Sequence, residues 1–175
     1  MEILIIRHGH AVDDAPDLGD AGRWLTGKGR KLTRRVAKWL AKQKDRCPGV
    51  IWTSPLVRAV QTAEIIADAA GLTDEVSVAA ELSPSRDTAE ILRRLSQHQG
   101  AQPLALVGHE PSLSALVTSL LGDGGWAGLS LKKSGVVAVS WDGRGPGTLR
   151  FALDLKAMKA VTPVKEAQQQ APRAR

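Results

Sequence analysis

The 175-residue chain has no apolar run near the roughly 20 residues that a membrane-spanning helix needs; its apolar stretches are short, such as Ile3 to Ile6 and Val136 to Val139. That excludes a helical membrane anchor from the expected architecture. A single cysteine, Cys47, excludes an internal disulfide and suits the reducing cytoplasm. Four histidines and that one cysteine show no ligand spacing, so neither a zinc site nor any other metal is expected. The start, MEILIIRHGH, has an acid at position 2 and lacks a positive region ahead of a long apolar core. It predicts a first strand rather than a secretory leader, and a cytoplasmic protein. The length suits one compact domain that buries roughly two thirds of its extended surface. We assign it to residues 1–160, with a loose tail over 161–175, where Pro163, three successive glutamines and APRAR close the chain.

What is abundant is positive charge: 24 Lys and Arg against 18 Asp and Glu give a formal +6. The excess concentrates between Arg23 and Arg46, where ten basic residues meet one acid, Asp45. Such a cluster could attract nucleic acid, an anionic surface or an acidic protein. The plainer reading is the solvated face of an amphipathic helix, with Leu32, Val36, Trp39 and Leu40 as its apolar stripe. The five tryptophans are dispersed and form no base-stacking pattern, so no nucleic-acid partner is expected.

Short β-rich runs alternate with longer helical patterns, which predicts an α/β fold. Strands are expected over 2–6, 50–53, 76–79, 103–108, 135–141 and 148–153, the last two as a hairpin around DGRGPG. Helices are expected from Thr26 to about Lys44, from a Ser54 cap through about Ala70 with a stop at Gly71, over 87–97, and from Glu110-Pro111. Residues 9–25 read as a polar loop. VIWTSP and LALVGHEP place polar residues after buried strands, where open parallel sheets build ligand sites.

The first strand ends in Arg7-His8-Gly9. Arginine donates paired, charge-assisted hydrogen bonds to phosphoryl oxygens, and a neutral imidazole nitrogen can attack phosphorus. Arg58 falls near the positive end of the second long helix, where it could join a phosphate pocket, and His109 lies between a buried strand and the next helix. Ser54 is read as a helix cap, His10 as a residue at the rim, and His98 as a solvated or helix-ending histidine.

Taken in order, IIRHGHA, LTGKGR, TSPLVRAVQTAE, ELSP and LVGHEPSL resemble the histidine phosphatase (phosphoglycerate mutase-like) superfamily, more closely its small bacterial phosphohistidine phosphatases. The resemblance runs from Ile5 to Leu113. It implies a three-layer α/β/α sandwich with a mostly parallel central sheet. It also implies that Arg7, His8, Arg58 and His109 meet, with His8 the nucleophile, the arginines binding the anion, and His109 stabilising the transition state. Glu81, in ELSP, matches the family's proton donor, a role that a nitrogen leaving group puts in question.

The expected activity is therefore metal-independent hydrolysis of phosphohistidine on a protein, through a phosphorylated His8 and without a cofactor. The expected partner is a phosphorelay or phosphotransfer protein met by a monomeric enzyme. Little sequence is left to build a cap over the site, which favours a protein side chain as substrate. A small phosphorylated metabolite is the enzymatic alternative, and a phosphoprotein-binding module the non-enzymatic one.

Overall fold

The structure, a computed structural model, describes residues 1–43, 46–72, 74–84, 86–122, 130–153 and 155. The proposed tail over 161–175 and Trp126 lie outside them. Six strands form one sheet: β1 (Glu2–Arg7), β2 (Val50–Thr53), β3 (Val76–Val78), β4 (Leu104–Gly108), β5 (Val136–Ser140) and β6 (Thr148–Leu153). Their order is β3-β2-β4-β1-β5-β6. The first four strands run parallel, and the β5–β6 hairpin extends the sheet antiparallel beside β1.

The central strands are apolar on both faces because both are covered. Along β1, Ile3 and Ile5 enter one core cluster while Leu4 and Ile6 enter the other, the two-residue period of a strand. Helices α2 (Gly27–Ala41) and α3 (Val57–Ala70) cover the face of Leu4 and Ile6 with Val36, Leu40, Ala63 and Ile66. Helices α4 (Thr88–Gln97) and α5 (Ser112–Leu121) cover the other with Leu95, Leu116 and Val117. This is the expected three-layer α/β/α sandwich. Removing a central side chain such as that of Leu106, fully buried in β4, would cost about 2–5 kcal/mol, lost transfer energy plus a cavity.

Local chemistry explains the element ends. Thr26 accepts a hydrogen bond from the Gly29 amide at 3.0 Å, as an N-cap should. Gly29 must be glycine because a Cβ there would run into the His10 carbonyl oxygen. Gly71 closes α3 in the left-handed region, with φ 71°. Asp87 caps α4 through the Ala89 amide at 2.9 Å.

Four readings need correction. The loop over 9–25 contains a four-residue helix, α1 (Gly19–Gly22), too short to show a period in the sequence. Ser54 is not the cap of α3: the helix begins at Val57, Leu56 is its extended N-cap, and no side chain caps it. On α2, Thr33 is buried while Leu32 is half-buried, so the apolar stripe is rotated from the one expected. His98 does end α4, but instead of facing solvent it is half-buried and packs edge-on against Trp52, centroids 5.1 Å apart. Among the described residues no helix is long and apolar enough to cross a membrane.

Candidate active site

Strands β2, β4 and β1 are adjacent and parallel, so their carboxyl ends open onto one crevice. Ser54 follows β2, His109 follows β4, and Arg7 and His8 close β1. The ladder continues past the strands: the His8 amide donates to the Gly108 carbonyl at 3.1 Å and the Ser54 amide to Val107 at 2.9 Å. The site therefore inherits the rigidity of the sheet. Arg58, in the first turn of α3, is 5% exposed, beside His8 at 8% and His109 at 3%.

His8 and His109 lie with ring centroids 5.0 Å apart and planes tilted by 52°. His8 Nδ1 is 2.7 Å from the Gly9 carbonyl oxygen. A carbonyl only accepts, so the neutral ring carries its proton on Nδ1 and leaves the Nε2 lone pair free. Burial lowers the His8 pKa to about 3; the Gly9 hydrogen bond opposes this, and the positive potential of His109, Arg58 and Arg7 adds to it. His109 is lowered to about 4, first by burial and then by Arg58, with Asp20 opposing. Both rings are thus neutral at pH 7, the form in which an imidazole nitrogen keeps a lone pair.

Each arginine is held by a backbone carbonyl. Arg7 Nη1 donates to Leu131 at 2.8 Å. The Leu131 amide in turn donates to Glu110 Oε1 at 2.8 Å, and Ser114 also fixes that carboxylate. Arg58 Nη1 donates to the Asp20 carbonyl at 2.6 Å and its Nη2 to Asp20 Oδ2 at 2.9 Å. Asp20 accepts from Arg23 as well, and the two guanidiniums, Arg23 first, hold its carboxyl below the ordinary range. Of three buried side-chain nitrogens with no hydrogen-bond partner among the described residues, one is His98 Nε2 at the end of α4 and the other two are Arg7 Nε and His109 Nδ1. Buried polar groups are rarely left so, and the latter two belong to the group of four around His8.

Thr62 ties the parts together. Its hydroxyl accepts from the Gly9 amide at 3.0 Å and donates to the Arg58 carbonyl at 2.7 Å. Gly9 is closely surrounded: a Cβ there would lie 2.6 Å from Thr33 Oγ1. Ser54 Oγ is 2.8 Å from His109 Nε2, so this serine orients the histidine instead of capping a helix. His10 sits at the rim, its Nδ1 3.1 Å from Thr26 Oγ1.

The structure thus brings Arg7, His8, Arg58 and His109 to one place. Glu81 takes a different partner: it lies in a single 3-10 turn (Ala80–Leu82), and its Oε2 accepts from Arg94 at 3.0 Å. Arg94 also stacks over Trp52, 4.3 Å from the ring centre. Sequence reasoning missed Asp20, for nothing in one sequence ties it to Arg58, 38 positions away. Thr62 did carry a signal, since Arg58 and Thr62 are four apart on the buried face of α3, where Ala59, Ala63 and Ile66 are apolar.

The sequence pattern of the histidine phosphatase superfamily, branch 1, matches residues 3–83. Phosphohistidine phosphatase SixA of Escherichia coli strain K12 is 31% identical over 166 residues, covering 92% of this chain and all of that protein. The chain belongs to the histidine phosphatase superfamily. An uncharacterized protein of Picosynechococcus sp. is 37% identical over 141 residues, 79% of this chain and 84% of the relative. The solved structure of the protein histidine phosphatase SixA complexed with tungstate superposes with a TM-score of 0.81 at 29% identity, covering 90% of this histidine phosphatase and 99% of that chain. The fold is accordingly the phosphoglycerate mutase-like sandwich.

Proposed function

We propose that this histidine phosphatase hydrolyses phosphohistidine on a protein, without a metal ion, through a covalent intermediate on His8. The observation that carries the reading is the state of His8: a buried neutral ring, its Nδ1 proton held by Gly9, its Nε2 free, and two guanidiniums beside it. Full-length similarity to SixA supplies the substrate class.

In the first step His8 Nε2 bonds to phosphorus in line as the substrate's P–N bond breaks, and the departing imidazole nitrogen takes up a proton. In the second, water attacks phosphorus, the bond to His8 breaks, and inorganic phosphate leaves. Arg7 and Arg58 bind the equatorial oxygens and spread their charge, the part a metal plays elsewhere. His109 offers a hydrogen bond to the same group. Glu81 serves as proton donor only when its carboxyl is free of Arg94. We place the protein in the cytoplasm, where the free thiol of Cys47 stays reduced, with a phosphotransfer protein as partner.

The test is phosphate release from a phosphohistidine-bearing protein, with and without chelator, beside His8→Ala. Chelator-resistant release that vanishes in the variant is expected. Release by folded His8→Ala would refute the nucleophile, and turnover confined to small phosphorylated metabolites would refute the substrate.

A further inference from the structure

Helix α2 carries a charge pattern that the phosphatase reading leaves unused. Lys28, Lys31, Arg35, Lys38 and Lys42, at spacings of three or four, run along one side of the helix with Arg34 beside them, and all six are exposed. None is ion-paired with another described residue. The helix dipole accounts for cations near the carboxyl end, where Lys38 and Lys42 sit, but it disfavours Lys28 in the first turn. Helix stability therefore does not explain the whole stripe. It extends about 21 Å, 14 residues at about 1.5 Å each, and starts beside the catalytic loop, because Gly29 packs against the backbone of His10.

The stripe borders a cavity. Between α2 and α3 a groove of about 380 Å³ is lined by Arg34, Lys38, Lys42, Ala41, Ile65 and Ala69, with Asp68 its one acid. A second hollow of about 230 Å³, between Arg35, Lys38, Trp39 and Lys42, adjoins it through the shared lysines. A basic rim over an apolar floor is the arrangement that receives an amphipathic helix. The chain's own last residues, 156–175, do not complement it, since they hold five Lys and Arg against Glu166.

We propose that the α2–α3 groove is the docking surface for an acidic amphipathic helix of the phosphoprotein substrate, whose phosphorylated side chain then reaches His8. Apolar residues of the partner fill the floor at Ala41, Ile65 and Ala69, and flanking Asp or Glu meet Arg34, Lys38 and Lys42. The inference rests on the protein-substrate reading above, and deepens it by naming what the substrate presents. Docking of this kind lowers KM and raises the encounter rate while leaving the chemical step alone.

The test has a binding arm that needs no turnover. An 18-residue peptide with leucines at helical spacing and glutamates on either side is titrated into the full chain, into Arg34→Glu/Lys38→Glu/Lys42→Glu, and in the presence of rising salt. Expected are at least tenfold weaker binding to the triple variant and at least threefold weaker binding of the same peptide with its leucines replaced by serine. Equal affinity for the leucine and serine peptides would overturn the proposal, leaving unspecific charge attraction. So would binding of duplex DNA or anionic vesicles in preference to the peptide. In the kinetic arm the triple variant raises KM for an acidic phosphohistidine protein about tenfold, with kcat unchanged and hydrolysis of phosphoramidate unaltered. Loss on phosphoramidate too would overturn docking as the cause. Binding by a chain inactive on every phosphohistidine substrate would sink the functional reading and spare the groove.

Discussion

Burying two neutral histidines makes this site a liability in acid. In the unfolded chain both rings take up protons near pH 6.5, whereas the folded protein holds His8 to about 3 and His109 to about 4. Between those values the unfolded state binds more protons, so stability rises with pH and is lost as pH falls. Each ring contributes about 1.4 kcal/mol per pH unit, and the two together about 2.7 kcal/mol per unit between pH 6.5 and 4. From pH 6.5 to 4.5 the loss is about 5 kcal/mol, a large part of the 5–15 kcal/mol that holds a typical domain together. Urea unfolding at pH 7.0, 5.5 and 4.5 should show this slope, and His8→Asn/His109→Asn should flatten it while raising stability at pH 4.5. Asp20 interferes little, since its lowered carboxyl loses its stabilising contribution only below the ordinary carboxylate range. A double variant with an unchanged acid slope would refute the account. The same neutrality predicts covalent labelling of His8 that shows no fall near pH 6.5.

Asp20→Asn keeps the backbone contact to Arg58 while removing a negative charge that opposes an incoming oxyanion. Inhibition by orthovanadate should tighten about threefold to tenfold, as expected for one charge several ångströms away in a wet site; weaker inhibition would show that the carboxylate is needed to position Arg58. Thr62→Val leaves the buried Gly9 amide without its acceptor, so a loss of about 1–3 kcal/mol in thermal unfolding is expected together with reduced His8 labelling. Stability lost with labelling rate intact would refute the positioning role. Glu81→Gln should cut kcat on a phosphomonoester by about 100-fold, the scale of general acid catalysis, and affect phosphohistidine far less. Equal losses on both would show that Glu81 acts through Arg94 and the fold.

Strand ends were legible where apolar runs met Pro, Gly or Ser, which is why β2, between Gly49 and Ser54, and the start of β6, after Gly147, fall where the sequence placed them. The four site residues were legible from the resemblance, since each sits in a short pattern just after a strand or at a helix start. What stayed hidden was contact between distant segments. A four-residue helix leaves no period to read, so α1 and with it Asp20 could not be tied to Arg58. Ser54 was misread because Ser-Pro is a good local cap signal, while the His109 ring that claims its hydroxyl is 55 positions away. The basic stripe on α2 is helical as expected, but two residues of the apolar floor beside it, Ile65 and Ala69, come from α3, which only packing brings into place.

One hydroxyl carries a mechanical consequence. Thr62 joins the Gly9 amide to the turn bearing Arg58, and the Gly9 carbonyl, one peptide further on, holds the proton of His8. His8 and Arg58 are therefore the two ends of one short hydrogen-bonded path. Because the His8 amide is also held to Gly108 of the sheet, a slide of α3 would have to break the Thr62 bond to the Gly9 amide before it could part Arg58 from His8. The side chains of Arg7 and His109 take their hold elsewhere, on the Leu131 carbonyl and the Ser54 hydroxyl, so a loosened Thr62 link would be felt at Arg58 and not at them.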